Sequence, residues 1–221
     1  MMAPRRKTMT RTLYFIRHGQ TEWNAERRMQ GQWESDLTAL GHEQAKRTAA
    51  AVAELGVDAI YASPLQRTRA SVKPLCEITG RPSTFDDRLK EWNAGDWSGN
   101  LYADIVTRWP EEWAAWRQDM WRYRPPNAEN FDDLKERGGA FLNDVLATTA
   151  SRIAIVSHGF ITRAMIAHLL ELSPEYALGL ETENDTFFCL YQQTSGWCAE
   201  RHDADAGPTD LFGGQEPPSL A

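Results

Sequence analysis

Two apolar segments, each followed almost at once by a His-Gly pair, constrain the fold of this chain most strongly. Leu13 to Ile16 is an uninterrupted aliphatic and aromatic run, and it ends at Arg17-His18-Gly19. Ile153 to Val156 repeats the design and ends at Ser157-His158-Gly159. Continuous runs of this length are typical of strands buried on both faces. We therefore predict two buried strands that each carry a histidine at the carboxyl end.

The residues at the first strand end suggest an anion site. Ligands of open α/β sheets bind outside the carboxyl ends of the strands. Arg17 and His18 supply a cation and an imidazole there, and Gly19 lets the backbone turn sharply beside a ligand. A capped turn with a half-exposed histidine is the alternative for one such tripeptide. The second His-Gly pair favours the anion site.

Further strand and helix patterns complete an α/β prediction. Val57 to Ala62 is a short buried strand that runs into a helix starting near Pro64, so Arg67 also lies at the carboxyl edge of the sheet. Thr38 is a good N-cap for a helix that runs to about Glu54. The segments from Thr186 to Tyr191 and from Trp197 to Arg201 predict a closing hairpin.

The middle of the chain is rich in tryptophan. Six of the nine tryptophans lie in one stretch, at Trp92, Trp97, Trp109, Trp113, Trp116 and Trp121. Three of them, at 109, 113 and 116, have helical spacing, so packing against the body is the default interpretation. An aromatic wall that faces a substrate is the alternative. Just before this stretch, Glu91 lies on a glycine-punctuated loop that can hold a carboxylate over a cleft.

Composition excludes several classes of partner. The chain has 221 residues, of which 42% are hydrophobic, and a net charge of -7. It therefore fits one large domain, and its acidity argues against nucleic-acid and membrane partners. No apolar run approaches the roughly 18 residues of a membrane span, and Met1 to Arg11 lacks the core of a signal peptide. We expect a cytoplasmic protein whose three separated cysteines are reduced.

Both termini are expected to lie outside the folded domain. Residues 1–10 form a predicted flexible N-terminal tail, and residues 11–202 form the domain, with a cap insertion at about 92–130. Residues 203–221 contain several prolines and glycines and few large apolar side chains, so a disordered C-terminal tail is predicted.

The strand-end residues suit phosphoryl chemistry. Arg17 and Arg67 can each bind phosphate oxygens bidentately, and they favour a neutral His18 that can attack phosphorus. His158 offers a second N–H, and Glu91 is the best-placed proton donor for the leaving oxygen. A metal site is the main alternative reading of two histidines among carboxylates. The adjacent arginines oppose a dication, and no ligand spacing typical of a metal site is present.

The sequence resembles the histidine phosphatase superfamily, also called phosphoglycerate mutase-like. The similarity spans Leu13 to Tyr191 and rests on these motifs: Arg17-His18-Gly19-x-Thr21-x-x-Asn24, Gln30-Gly31, Leu37-Thr38-x-x-Gly41, Ser63-Pro64-Leu65-x-Arg67, Leu89-x-Glu91, Gly95-x-Trp97-x-Gly99 and Ser157-His158-Gly159. The resemblance implies a three-layer α/β sandwich with a mostly parallel central sheet, flanked by helices and carrying the Trp-rich helical cap.

The same resemblance assigns roles to individual residues. It implies that His18 becomes a phosphohistidine and that Glu91 is the proton donor. The phosphate is expected to contact four side chains: Arg17, Asn24, Arg67 and His158. No metal or organic cofactor is implied, and the expected partner is a small phosphomonoester. The sequence leaves the oligomeric state open, a homodimer included.

Within the superfamily the choice lies between hydrolase and mutase. Cofactor-dependent mutases carry Glu-Arg-x-Tyr-Gly-x-Leu, whereas here Trp92 follows the acid and Trp97 replaces the leucine. The segment that contains Glu129 resembles a Pro-x-Gly-Gly-Glu-Ser stretch of the phosphatase branch, with departures at three positions. We expect a phosphatase, with a mutase as the alternative and a non-catalytic phosphate-binding scaffold as the third reading. The candidate substrate pocket comprises Gln30, Trp92, Trp97 and Glu129.

Overall fold

A computed structural model describes residues 11–194, 196–204 and 207–211 of the chain. The strands are β1 (Arg11–Arg17), β2 (Ala59–Ala62), β3 (Ser83–Phe85), β4 (Arg152–Ser157), β5 (Thr186–Gln193), β6 (Gly196–Asp203) and β7 (Gly207–Asp210). The helices are α1 (Glu22–Ala25), α2 (Ala39–Leu55), α3 (Gln66–Thr79), α4 (Tyr102–Arg108), α5 (Pro110–Gln118), α6 (Phe131–Leu146), α7 (Gly159–Leu170) and α8 (Pro174–Gly179). Two short 3-10 helices lie at Asp87–Leu89 and Gly95–Trp97.

The strands form one mixed sheet in the order β3-β2-β4-β1-β5-β6-β7. The first four strands in that order pair in parallel, and the last three add on in antiparallel fashion. Because β2, β4 and β1 are neighbours and parallel, their carboxyl ends meet at one edge. The predicted strands and closing hairpin are present, and the predicted α/β sandwich is confirmed.

The core has two parts because the central strands β1 and β4 bury both faces. Along β1, Leu13 and Phe15 belong to one apolar cluster, and Tyr14 and Ile16 belong to the other. The first cluster packs the sheet against α6 and α7, and the second packs it against α2 and α3. The sheet is therefore the middle of three layers, as the continuous apolar runs predict.

Gly19 fixes how the first strand end meets α2. A Cβ atom added at this position would lie 2.1 Å from the carbonyl oxygen of Gly41, which is closer than atoms can approach. The Thr38 side chain caps the same end of α2 by accepting the Gly41 N–H. Glycine is thus required where the backbone turns away from His18.

The cap between about 92 and 130 is built on tryptophan packing. Trp92 stacks on Trp116 with ring centroids 5.9 Å apart, and Trp97 is completely buried against both. Trp109 and Trp113 are partly buried and pack on the same cluster. The predicted packing role of the helically spaced tryptophans is therefore confirmed.

The C-terminal segment corrects one expectation. Instead of being disordered from Asp203, the chain turns back and forms β7, which pairs with β6 from Glu200 to Asp203. Backbone hydrogen bonds to a sheet edge order this segment despite its few large apolar side chains. Residues 1–10 and 212–221, which the sequence predicts to be tails, lie outside the described residues. Among the helices that are described, none is both long and apolar enough to cross a bilayer.

Candidate active site

Three strand ends bring the predicted histidines and arginines together. His18 follows β1 and His158 follows β4, and their ring centroids lie 5.1 Å apart. Arg67 reaches the same place from the first turn of α3, which follows β2. A cavity of about 460 Å³ opens at this edge. The sequence-predicted residues that line it are Arg17, His18, Asn24, Gln30, Arg67, Glu91 and Trp92.

His18 is oriented as a nucleophile. Its Nδ1 lies 2.8 Å from the Gly19 carbonyl oxygen, which can only accept a hydrogen bond. Nδ1 therefore carries the proton, and Nε2 keeps its lone pair. Burial, and next the charges of Arg67 and Arg17, hold the pKa of His18 well below its usual range. The imidazole is thus neutral at neutral pH, and burial contributes more to this than the arginines named from the sequence.

The neutral state of His18 can be measured directly. Because desolvation and two guanidiniums disfavour the imidazolium, its ring proton signals should not titrate between about pH 5.5 and 7.5, where an unperturbed histidine changes charge. Proton–carbon NMR spectra of the histidine rings, recorded through this range, test the expectation. The His18→Gln variant identifies the signal. A midpoint near the ordinary histidine value would contradict a desolvated site.

His158 is engaged on both ring nitrogens. Its Nδ1 accepts from Arg67 Nε at 3.2 Å, so its proton lies on Nε2, which donates to Ser63 Oγ at 2.9 Å. The ring is fully buried, and burial together with Arg67 lowers the pKa of His158 well below its usual range. His158 therefore orients Arg67 in this arrangement, and its direct contact with phosphate stays a prediction.

The two arginines differ in how they are held. Arg67 donates from Nη1 to the Trp33 carbonyl and from Nη2 to the Gly31 carbonyl, both at 2.7 Å. Burial lowers the pKa of Arg67 to about 10, which still leaves it charged at neutral pH. Arg17 donates from Nη1 to the Thr182 carbonyl, while its buried Nε has no hydrogen-bond partner among the described residues. That N–H is a donor available to an anion.

Asn24 and Gln30 meet at Thr21. Asn24 Oδ1 accepts the Thr21 N–H at 3.1 Å, which leaves the amide NH₂ as the group that can reach an anion. Gln30 donates from Nε2 to Thr21 Oγ1 at 2.7 Å. Its Oε1 is buried and lacks a partner within the described part of the chain, so it can accept from a substrate hydroxyl.

Glu91 lies at the N-terminus of α7. Its Oε1 accepts backbone N–H groups from Trp92 at 2.9 Å, Phe160 at 3.2 Å and Ile161 at 3.3 Å. A Cβ placed on Gly159 would lie 3.8 Å from Glu91 Oε2 and 3.9 Å from Arg17 Cζ. The carboxyl and the guanidinium therefore flank one glycine at the cavity wall, and both can reach a bound phosphate ester.

Two predicted pocket residues occupy other positions. Trp97 is completely buried in the tryptophan cluster, and Glu129 forms an ion pair with Arg137 at 2.9 Å. Neither of these described residues lines the cavity, so their expected place in the substrate pocket is corrected. Trp97 has no exposed surface that a substrate could contact, and the charge of Glu129 is balanced by Arg137.

Arg137 and Glu129 together hold the loop that carries Glu91. Arg137 donates to the carbonyls of Arg88 at 2.6 Å, Lys90 at 2.7 Å and Glu91 at 3.0 Å. Glu129 Oε2 accepts the Asn93 N–H at 2.8 Å on the other side of the acid. The backbone on both sides of Glu91 is therefore fixed by one charged pair that is about four-fifths shielded from solvent.

Removing the Arg137 guanidinium should impair catalysis, although Arg137 does not line the cavity. For Arg137→Met we expect kcat on an alkyl phosphate to fall about 10- to 100-fold with a small change in KM, because roughly 1 Å of misplacement can cost that much. The measurement is steady-state kinetics below the melting temperature of the variant. Arg122→Met, at an exposed arginine paired with Asp119, is the matched control. An unchanged kcat in the folded variant would remove Arg137 from this role.

Sequence reasoning missed several residues of the cavity wall: Tyr102, Phe160, Arg163 and Thr182. Arg163 lies one turn into the helix that follows His158, and this position was the available signal. Tyr102 comes from the cap, and Thr182 comes from the loop after α8. Only tertiary packing brings these two segments to the site. No group of three or more metal-ligating side chains occurs among residues 11–194, 196–204 and 207–211.

A family profile and a similar protein each match most of this chain. The profile of the histidine phosphatase superfamily (branch 1) matches residues 13–205. A protein of Shigella boydii serotype 18 named probable phosphoglycerate mutase GpmB is 35% identical over 192 residues, which cover 85% of this chain and 87% of that protein.

Solved structures give the same result. The mycobacterial glucosyl-3-phosphoglycerate phosphatase superimposes with a TM-score of 0.77 at 30% identity, covering 86% of this chain and 96% of its own. The α-ribazole phosphatase of Shigella flexneri superimposes with a TM-score of 0.77 at 24% identity, covering 84% and 93%, and supports the fold alone. The fold and the paired strand-end histidines define an α/β protein whose cavity lies at the carboxyl edge of its parallel strands. The chain belongs to the histidine phosphatase superfamily.

Proposed function

We propose that the protein is a metal-independent phosphomonoesterase that hydrolyses a small phosphorylated metabolite through a phosphohistidine at His18. The observation that carries the proposal is the orientation of this imidazole. Its Nδ1 proton is held by the Gly19 carbonyl, so the Nε2 lone pair is free at a cavity that Arg17 and Arg67 also line. Such a nucleophile needs no metal to be activated, because it is already neutral.

The proposed reaction has two steps. His18 Nε2 forms a bond to phosphorus as the ester P–O bond breaks, and the leaving oxygen takes a proton from Glu91. Water then attacks the phosphohistidine, its proton passes to Glu91, and the P–N bond breaks. Inorganic phosphate leaves and His18 returns to its neutral state. Arg17 and Arg67 stabilise the charge on the equatorial oxygens in both steps.

A mutase remains the second candidate, and the name of the Shigella boydii relative favours it. The similarity to the mycobacterial glucosyl-3-phosphoglycerate phosphatase favours a phosphatase, and so does Trp92, which occupies the position where mutases carry arginine. Trp92 donates from Nε1 to the Glu129 carbonyl at 2.5 Å and contributes no charge to the cavity. A bisphosphorylated cofactor therefore gains no extra cation from this position.

Phosphate release from a panel of phosphomonoesters tests the proposal. We expect turnover without added 2,3-bisphosphoglycerate, and we expect it to survive exhaustive EDTA treatment, because arginines rather than a dication neutralise the phosphate. Vanadate and inorganic phosphate should inhibit competitively. Activity that requires zinc or magnesium would overturn the metal-independent mechanism. Interconversion of phosphoglycerates that depends on the bisphosphate, without release of phosphate, would identify a mutase.

A further inference from the structure

The carbonyl that orients the nucleophile belongs to a flexible position of the chain. His18 Nδ1 donates to the Gly19 carbonyl at 2.8 Å, and this bond leaves Nε2 as the atom with the free lone pair. Gly19 has no Cβ, so more backbone conformations are open to it than to other residues. Rotation of the Gly19–Gln20 peptide unit would turn the carbonyl away from the imidazole. A further contact is therefore needed to hold this peptide unit.

Gln44 supplies that contact. Its Oε1 accepts the Gln20 N–H at 2.9 Å, and this N–H lies in the same planar peptide unit as the Gly19 carbonyl. Fixing one end of a planar group fixes the direction of the other. Because the Gln20 N–H can only donate, the amide atom that faces it is the oxygen. Gln44 thus acts on the imidazole through one peptide unit, although it does not line the cavity.

Helix α2 places Gln44 beside this backbone. Gly41 and Gln44 are three positions apart, so they lie on the same face of the helix. A Cβ added at Gly41 would lie 2.0 Å from the Gln20 carbonyl oxygen, so glycine allows α2 to approach the turn closely. Gln44 is buried, with 7% of its surface exposed. A hydrogen bond to such a shielded acceptor is stronger than the same bond in water.

The preceding peptide unit is held in the same way. The His18 carbonyl accepts from Asn184 Nδ2 at 2.7 Å, and the Gly19 N–H donates to Ser71 Oγ at 3.0 Å. These two groups belong to the His18–Gly19 peptide unit. Side chains from three separate elements therefore fix two consecutive peptide units beside the nucleophile. Among these three side chains, Gln44 holds the unit whose carbonyl binds the imidazole.

We propose that Gln44 is a positioning residue of the nucleophile: it holds the Gly19 carbonyl toward Nδ1 and so keeps the Nε2 lone pair of His18 directed at phosphorus. This role in turnover rests on the proposed phosphatase function. The contacts run from Gln44 Oε1 through the Gln20 N–H and the Gly19 carbonyl to the ring, and hydrogen bonds in such a chain polarise one another. The aspartate of a serine-protease triad orients its histidine through the same ring nitrogen.

Two variants of similar size test the role. Gln44→Met keeps the volume of the side chain but offers the Gln20 N–H only a weak acceptor. We expect kcat to fall about 10- to 100-fold with less than about 3-fold change in KM, the scale of a slightly misplaced reacting group. Gln44→Glu keeps an accepting oxygen and should stay within about 3-fold of the wild type. Gln118→Met, at an exposed glutamine of α5, is the matched control and should change nothing.

The kinetic comparison is made below the melting temperature of each variant. A Gln44→Glu protein that is no more active than Gln44→Met would overturn the role, because the accepting oxygen would then be irrelevant. A Gln44→Met protein with the kcat of the wild type would overturn it as well.

The ring tautomer of His18 reports the role without turnover. Nitrogen-15 NMR should show a proton on Nδ1 alone in the wild type and in Gln44→Glu, and a mixture of both tautomers in Gln44→Met. A single Nδ1–H tautomer in all three proteins would overturn the role. A mixture in Gln44→Met, with no phosphate release by the wild type, would reject the phosphatase and keep the positioning of the ring.

Hydrogen exchange of the Gln20 amide tests the same contact in the wild-type protein, whether or not the variants fold. Because this N–H is bonded to a buried oxygen, it should exchange as slowly as the amides of the central strands, although it lies in a turn. Rapid exchange of the Gln20 amide would overturn the proposal.

Discussion

Replacing His18 with alanine should reduce turnover by roughly 10⁴- to 10⁶-fold, the range found when a catalytic nucleophile or its partner is removed. The reason is geometric, because the imidazole supplies the free Nε2 lone pair at the floor of the cavity. Initial rates on any ester of the panel measure the loss. His18→Gln fills more of the buried volume and should be equally inactive. Circular dichroism and thermal melting establish that both variants fold.

A covalent intermediate gives the sharper test of the same residue. Wild-type protein quenched during turnover of labelled substrate should carry a phosphoryl label that is labile in acid and stable in base. Peptide mapping should place the label on His18, and His18→Ala should remain unlabelled. Label on a serine or an aspartate would end the phosphohistidine mechanism. His158, with both nitrogens engaged by Arg67 and Ser63, should not carry it.

The strand-end part of the site could be predicted because it follows from local pattern and topology. Buried parallel strands end at one edge, so each residue directly after such a strand reaches the same place. Arg17 is the last residue of β1 and His18 follows it, and His158 follows β4, the neighbouring strand. Predicting the position of Arg67 required one further inference, namely that a helix begins shortly after β2.

Positions that depend on long-range packing could not be predicted. Glu129 lies in a segment whose sequence resembles a pocket-lining stretch. Its ion pair with Arg137, eight positions away on α6, instead holds its carboxylate beside the loop of Glu91. The hydrogen bond from Arg163 to the Leu180 carbonyl forms only because the loop after α8 returns to the sheet edge. These contacts have no periodic signature in the sequence, because they join separate elements.

The C-terminal strand β7 was not predicted from the sequence for a different reason. Composition reports how much apolar surface a segment can bury, and Asp203 onward has little. A strand at a sheet edge is held by backbone hydrogen bonds, which any residue other than proline can donate. β7 pairs from Gly207 to Asp210 with β6, and Pro208 is tolerated at this edge position.

Glu91→Gln should distinguish substrates by their leaving groups. A poor leaving alcohol needs a proton as the P–O bond breaks, whereas p-nitrophenolate departs with little help. Hydrolysis of an alkyl phosphate should therefore fall by about 100- to 10,000-fold, while p-nitrophenyl phosphate should lose much less. The two substrates are compared by kcat/KM at one pH. The glutamine oxygen can still accept the N–H groups of Trp92, Phe160 and Ile161, so the fold should survive.

Two further variants place Glu91 in its loop. Glu136→Gln changes an exposed acid on α6 and should affect neither substrate. Arg137→Met should reproduce the leaving-group dependence of Glu91→Gln in weaker form, because it displaces the acid without removing it. In the double variant the two losses should not add, since a glutamine has no acidic proton to misplace. Equal losses on both substrates in Glu91→Gln would mean that Glu91 is not the acid, and additive losses in the double variant would mean that Arg137 acts elsewhere.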